Sequence, residues 1–234
     1  MIKGIIFDCD GTLVDSEGLF NRALSLKLAE RGVDIKADEL VVRFRGTKFA
    51  NVISAIEQEH SLKLDDVFVA EYRTLVEKFF KDQLRPCDGV IETLPKIDLP
   101  MSVASNGPLE KMKIAMEVTG LAGFFNDQLH SAYEVGSWKP DPDLFLHAAK
   151  AMKLLAEECL VVEDSVVGVE AAIAADMPAV LYDLNGSHAA YYFDLTRRIK
   201  DGCIKTHVIK VSHFSELVDV LAKLKVSSCS SLVN

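Results

Sequence analysis

The chain has 234 residues, of which 49% are hydrophobic and 26% charged, with a formal net charge of −9; that length accommodates one large domain or two modest ones around an ample core. No block of Lys and Arg stands out that could track a phosphate backbone, so no nucleic-acid partner is expected, although a local pocket can still oppose the net charge and take a small anion. No apolar run approaches the ~20 residues of a membrane span, so no membrane partner is expected either.

Ile5-Ile6-Phe7 reads as a buried strand that opens into the polar loop Asp8-Cys9-Asp10-Gly11-Thr12. Asp8 and Asp10 are then presented at the carboxyl end of the strand, where open α/β sheets place their ligands. Two acids this close are either parts of a turn or share a cation; a hard ion such as Mg²⁺ takes oxygen ligands and leaves positions for water and phosphate. Cys9 between them reads as a small buried hydrophobe whose pKa the acids raise.

From residue 16 to 85 the apolar spacing is helical, as in Leu19, Phe20, Ala23, Leu24 and Leu28 and again in Phe68, Tyr72, Val76 and Phe79; this block is expected to be an all-helical insertion. Pro86 to Gly89 forms a re-entry turn, and an alternation of strands and helices follows, the pattern of a doubly wound parallel sheet. Strands are expected at 101–104, 128–131, 160–162, 179–182 and 206–209. Helices are expected at 109–118, after Pro142, at 166–175 and at 214–224. The stretch 184–203 fits a helix or a loop, and the Ser-rich tail from 226 should fray.

Three further clusters sit at predicted strand ends. Ser105-Asn106-Gly107 offers a hydroxyl and main-chain N–H groups at the start of a helix, which suits either an ordinary cap or a phosphate cradle. Lys139-Pro140-Asp141-Pro142 stiffens the backbone around an acid placed to cap the next helix, and its lysine is either a solvated charge or a fixed cation for phosphoryl oxygens. Glu163-Asp164-Ser165 repeats a strand-to-acid transition, either as a helix cap or to complete a metal shell, with Asp164 the direct ligand and Glu163 direct or through water. No histidine has metal spacing. Trp138 reads as a packing residue. The five cysteines are scattered and odd in number, which argues for a reducing compartment, and Met1 leads directly into the first strand without room for a signal peptide, so a cytoplasmic protein is expected.

Asp8-x-Asp10-Gly11-Thr12, Ser105-Asn106, Lys139-Pro140-Asp141-Pro142 and Glu163-Asp164, in this order, resemble the four motifs of the haloacid dehalogenase (HAD) superfamily in its phosphate-transferring branch. The resemblance implies a Rossmann-like core over 1–15 and 86–234 with a helical cap over 16–85, and a Mg²⁺-dependent phosphatase acting through an aspartyl-phosphate. Asp8 would be the nucleophile and Asp10 the general acid and base. Lys139 would neutralise charge, Asp8, Asp10, Glu163 and Asp164 would hold the metal, and Thr12, Ser105 and Asn106 would meet the substrate. The substrate is expected to be a small phosphate ester, and the protein a monomer or weak homo-oligomer. The runs Ser105 to Met112, Trp138 to Pro142 and His147 to Met152 resemble phosphatases of sugar-acid phosphates such as 6-phosphogluconate. The basic segment Arg43 to Lys48 is then expected to grip a carboxylate through Arg45 and Lys48, with Arg43 a further candidate. One alternative is a β-phosphoglucomutase-type mutase, which carries a histidine where this chain has Phe20. Another is a binding protein that keeps the fold without turnover.

Overall fold

The structure of the protein, a computed structural model, describes residues 1–44, 47 and 49–227, with 225–227 described by their backbone alone. Ile5, Ile6 and Phe7 have no exposed surface, and about 2 kcal/mol gained per side chain of this size explains why this run forms the innermost strand. It is β1 (Gly4–Phe7), and the sheet continues with β2 (Met101–Ser105), β3 (Leu129–Ser131), β4 (Cys159–Glu163), β5 (Ala179–Tyr182) and β6 (Val208–Val211). The six strands are parallel in the order β3-β2-β1-β4-β5-β6. Phe7 lies level with Val103 on one side and Val162 on the other. Its ring packs edge-on against Phe125 and stacks on Phe214, at 5.9 and 6.0 Å between centroids. The doubly wound α/β fold expected from the alternation of elements is borne out.

The chain forms two compact units, Met1–Val14 with Pro86–Asn234 and Asp15–Arg85. Within the second lie α1 (Glu17–Ala29), α2 (Ala37–Phe44), α3 (Phe49–His60) and α4 (Asp66–Gln83), with α1 packed on α2 and on α4. Asp65 caps α4 by accepting the N–H of Phe68 at 3.0 Å, and the buried face recurs at Phe68, Tyr72, Val76 and Phe79, each about one turn after the last. Lys27 is buried among Glu30 and Glu71, the latter at 3.0 Å. Arg43 is held by Glu39 at 3.1 Å and by Glu59, so its guanidinium braces the helical unit. Phe20 packs on Phe80, with ring centroids 5.3 Å apart.

In the sheet-bearing unit the helices are α5 (Val90–Thr93), α6 (Leu109–Val118), α7 (Ala122–Phe125), α8 (Ala132–Val135), α9 (Asp143–Ala151), α10 (Val166–Ala174), α11 (Ala189–Lys200) and α12 (Glu216–Ser227). The stretch 184–203 therefore resolves into a helix. Residues 226 and 227 continue α12 where fraying is expected from the sequence, and the rest of the tail lies outside the described residues. Asp141 does not cap α9. That helix starts behind Pro142 without a side-chain cap, and the Asp141 N–H donates instead to the Trp138 carbonyl at 2.9 Å, closing a turn. Trp138 meets Tyr133 edge-on at 5.5 Å as a packing residue. Among the described residues no helix is long and apolar enough to cross a membrane.

Candidate active site

Because the strands are parallel, their carboxyl ends share one edge, and β1, β2 and β4 are neighbours along it. Asp8 directly follows β1 and donates its N–H to the Val162 carbonyl of β4 at 2.9 Å, so the sheet ladder itself fixes this residue. The chain then turns tightly: Leu13 N–H returns to the Cys9 carbonyl, and Gly11 adopts a left-handed φ of +84°. A side chain at Gly11 would also place its Cβ 2.3 Å from an Asp164 carboxylate oxygen, so glycine meets both requirements at once.

Lys139 is the pivot of the site. It is 2% exposed, and its Nζ donates to Asp8 Oδ1 at 2.5 Å and to Glu163 Oε1 at 3.0 Å while lying 4.8 Å above the Phe145 ring. Burial acts to lower its pKa, but the two carboxylates outweigh that and hold the ammonium form. The buried carboxyls are less fully compensated. Burial pushes the Asp8 pKa up to about 7, with Glu163 and Asp10 adding repulsion against the pull of Lys139. Asp164 is raised too, first by burial and then by Glu163 and Asp8. Oxygens of Asp8, Glu163 and Asp164 lie within 4.8 Å of one another, a set that could hold a metal ion.

Glu163 is fixed from a second side. Its Oε2 accepts the N–H of Ser165 at 2.7 Å and the Ser165 hydroxyl at 2.6 Å, while that same Oγ accepts the Gly168 N–H at 3.1 Å and so caps α10. Gly168 has no side chain because there is no room for one: a Cβ there would lie 1.9 Å from Glu163 Cδ. Replacing a helical glycine by alanine ordinarily stabilises by about 0.5–1 kcal/mol. At this position overpacking costs typically 1–3 kcal/mol, and Glu163 is tied on both sides, so Gly168→Ala is expected to lower stability by about 2 kcal/mol. Thermal melts check this, and an unchanged or raised melting temperature would contradict it.

The remaining predicted residues divide. Ser105 is 1% exposed, and its hydroxyl accepts the Gly107 N–H at 3.0 Å, so this amide is already committed. Asn106 clamps the main chain of Lys139: its Oδ1 accepts the Lys139 N–H at 2.9 Å, and its Nδ2 donates to the Lys139 carbonyl at 3.4 Å. Thr12 donates its hydroxyl to Asp164 Oδ1 at 3.1 Å. Both side chains thus meet other site residues in this structure. Arg45 and Lys48 lie outside the described residues. Lys111, unassigned from the sequence, reaches Asp10 Oδ2 at 2.5 Å. Burial works against its charge, but Asp10 raises its pKa. The available signal was a cation in the first turn of a helix that follows a strand-end motif, where it opposes the helix dipole.

The family model of haloacid dehalogenase-like hydrolases matches residues 2–176. The chain belongs to the haloacid dehalogenase-like hydrolases. This hydrolase is 40% identical over 177 residues to the 6-phosphogluconate phosphatase of Escherichia coli K12, covering 75% of the chain and 80% of that protein. Its fold matches a haloacid dehalogenase-like protein of unknown function from Agrobacterium tumefaciens with a TM-score of 0.79 at 29% identity, over 96% of the chain and all of the other. A HAD family hydrolase of Deinococcus radiodurans solved with bound phosphate and sodium matches with a TM-score of 0.72 at 27% identity, over 95% of the chain and 96% of its own. The hydrolase described here is an enzyme of the phosphatase type.

Proposed function

We propose that the protein is a Mg²⁺-dependent phosphatase of small phosphate monoesters, with phosphorylated sugar acids such as 6-phosphogluconate preferred, and that it works through an aspartyl-phosphate. The observation that carries this reading is Lys139, buried between Asp8 and Glu163 with Asp164 beside them. The side-chain donors are carboxylate oxygens, burial and then repulsion between neighbouring carboxylates raise the pKa values of Asp8 and Asp164, and glycine at position 11 leaves the Asp164 carboxylate its space, so the residues fit a hard cation. Asp8, Glu163, Asp164 and the Asp10 carbonyl would hold Mg²⁺, which supplies charge neutralisation for the transferring phosphoryl group.

Asp8 attacks phosphorus in line, and the ester P–O bond breaks with its electron pair on the leaving oxygen. That oxygen takes a proton from the Asp10 carboxyl. Asp10, now a carboxylate, removes a proton from water. The resulting hydroxide attacks the same phosphorus and expels the Asp8 carboxylate, releasing phosphate. Lys139 neutralises the nucleophile and the phosphoryl oxygens in both steps, with Asn106 keeping its main chain in place and Ser105 beside the phosphoryl group. Thr12 orients Asp164. The helical unit selects the substrate through Arg45 and Lys48, which suit a carboxylate remote from the phosphate. Phe20, packed on Phe80 in the place of the mutase histidine, supports hydrolysis over return of the phosphoryl group. Free thiols at Cys9, Cys159 and Cys203 support a cytoplasmic setting.

The test is phosphate release from a panel containing 6-phosphogluconate and glucose 6-phosphate, with Mg²⁺ and after chelation. We expect kcat/KM to favour the sugar acid by ~10-fold or more, as a charge-assisted bidentate contact supplies, the preference to vanish in Arg45→Ala, and chelation to abolish turnover. Equal use of the two esters would remove the sugar-acid preference, and turnover unaffected by chelation would remove the metal.

A further inference from the structure

Lys111 stands in a place that costs something. It is the third residue of α6, in the first turn, where a cation opposes the helix dipole. Lysine is normally solvated, yet here only 19% of the side chain is exposed. The side chain folds back over the strand-to-helix turn to reach Asp10 Oδ2 at 2.5 Å. The turn is shaped to let it pass, since a Cβ at Gly107 would lie 2.7 Å from both Cε and Nζ of Lys111. An ion pair whose acid is still 26% exposed gives the fold little, roughly what the dipole takes away. Stability therefore gives no reason for the arrangement. Nor does neutralisation of the nucleophile, which Lys139 already performs at Asp8 Oδ1.

We propose that Lys111 is a positioning residue that holds the Asp10 carboxyl in register with the leaving oxygen, fixing Oδ2 so that Oδ1 carries the transferred proton. The inference rests on Asp10 acting as acid and base in the proposed reaction. A carboxyl on a loop has several orientations, and an ammonium bound to one oxygen removes that freedom before substrate arrives, which is where positioning gains rate. Lys111 itself donates no proton to substrate: the proton moves from Asp10 Oδ1 to the leaving oxygen and returns to Asp10 from water.

An ester whose leaving group needs no proton separates this role from a structural one. p-Nitrophenolate leaves unprotonated, whereas the alkoxide of 6-phosphogluconate requires acid. In Lys111→Met, kcat for 6-phosphogluconate is expected to fall ~30-fold, within the range general acid catalysis contributes. The ratio kcat/KM, which reports the steps up to aspartyl-phosphate formation and not the later base step on water, should fall as far for 6-phosphogluconate but stay within ~3-fold of the native value for p-nitrophenyl phosphate, since that ester bypasses the acid. Lys111→Arg should recover part of the loss on 6-phosphogluconate. If Lys111→Met fails to melt cooperatively, Lys111→Gln takes the same comparison. Parallel losses of kcat/KM on both esters, a change confined to KM, or an unchanged kcat/KM for 6-phosphogluconate would each overturn the proposal. Native enzyme inactive on both esters would instead overturn the proposed function, so the two failures are distinguishable.

Discussion

Asp8→Asn is expected to abolish phosphatase activity, by ~10⁴-fold or more, and at the same time to raise the melting temperature of the metal-free protein. In the proposed mechanism the first effect follows from the loss of the attacking oxygen anion: an amide cannot form the acyl phosphate, and removing a nucleophile costs far more than removing a supporting group. The second follows from charge. Burial pushes the Asp8 pKa up to about 7 in the folded protein, against about 4 for an unperturbed aspartate. Between those values the folded state binds a proton that the unfolded state does not, so stability falls as pH rises from about 4 and the whole penalty is present above about 7. Asparagine carries no such penalty. The variant should therefore melt higher than the native protein at pH 8, by ~3 °C for each kcal/mol of repulsion removed in a chain of this size, and the gap should close as pH falls toward 4. Melts across that range without Mg²⁺, together with phosphate release, check both effects. A variant that keeps its rate sinks the mechanism, and one that melts below the native protein at pH 8 sinks the charge argument.

Lys139→Met acts in the opposite direction on stability. It takes the ammonium away from Asp8 and Glu163 and leaves their charges buried and uncompensated. Breaking a buried pair in this way costs about 3–5 kcal/mol, and the fall in kcat should reach ~10³-fold, the upper range for losing one preorganised electrostatic contact to a transition state. The distinguishing expectation is that Mg²⁺ raises the melting temperature of this variant more than that of the native protein, because a cation that binds only the folded state stabilises it most where the carboxylates lack a partner. Calorimetry with and without Mg²⁺ decides the matter. An unaltered melting temperature in the metal-free variant would mean that Lys139 does not compensate these acids.

What could be read in advance depended on how locally each feature is encoded. Strand β5 and helix α6 match their expected bounds because four successive apolar residues and a helical spacing of Met112, Ala115 and Met116 state them within a few positions. Helix α11 was ambiguous for a physical reason. Leu195 is its one buried residue, Tyr191 and Ile199 a turn to either side are only partly buried, Phe193 is 76% exposed, and Gly186 and His188 precede it, so the apolar face is thin. At the site, Asp8, Glu163 and Asp164 were legible because each follows a strand run directly, and parallel strands bring such residues to one edge. The partners of Thr12 and Asn106 were not legible: they lie 152 and 33 residues away, and a hydroxyl or an amide is equally suited to a phosphate and to a neighbouring residue. Lys111 was hidden in the same way, since its reach depends on a glycine four residues earlier having nothing to place in its path.

The hydrogen bonds that Ser165 donates to Glu163, and the one that the Gly168 N–H donates to Ser165, form a continuous chain. They run without interruption from a site carboxylate into the first turn of a helix, so the fraying of that turn is coupled to how firmly the carboxylate holds the serine. Deuterium uptake at the Gly168 amide then reads occupancy of the site directly. A ligand that draws electron density from Glu163 slackens its hold on the serine and quickens the exchange; one that leaves Glu163 alone is silent. The enzyme carries its own isotopic probe, native and unlabelled, one residue pair from the chemistry.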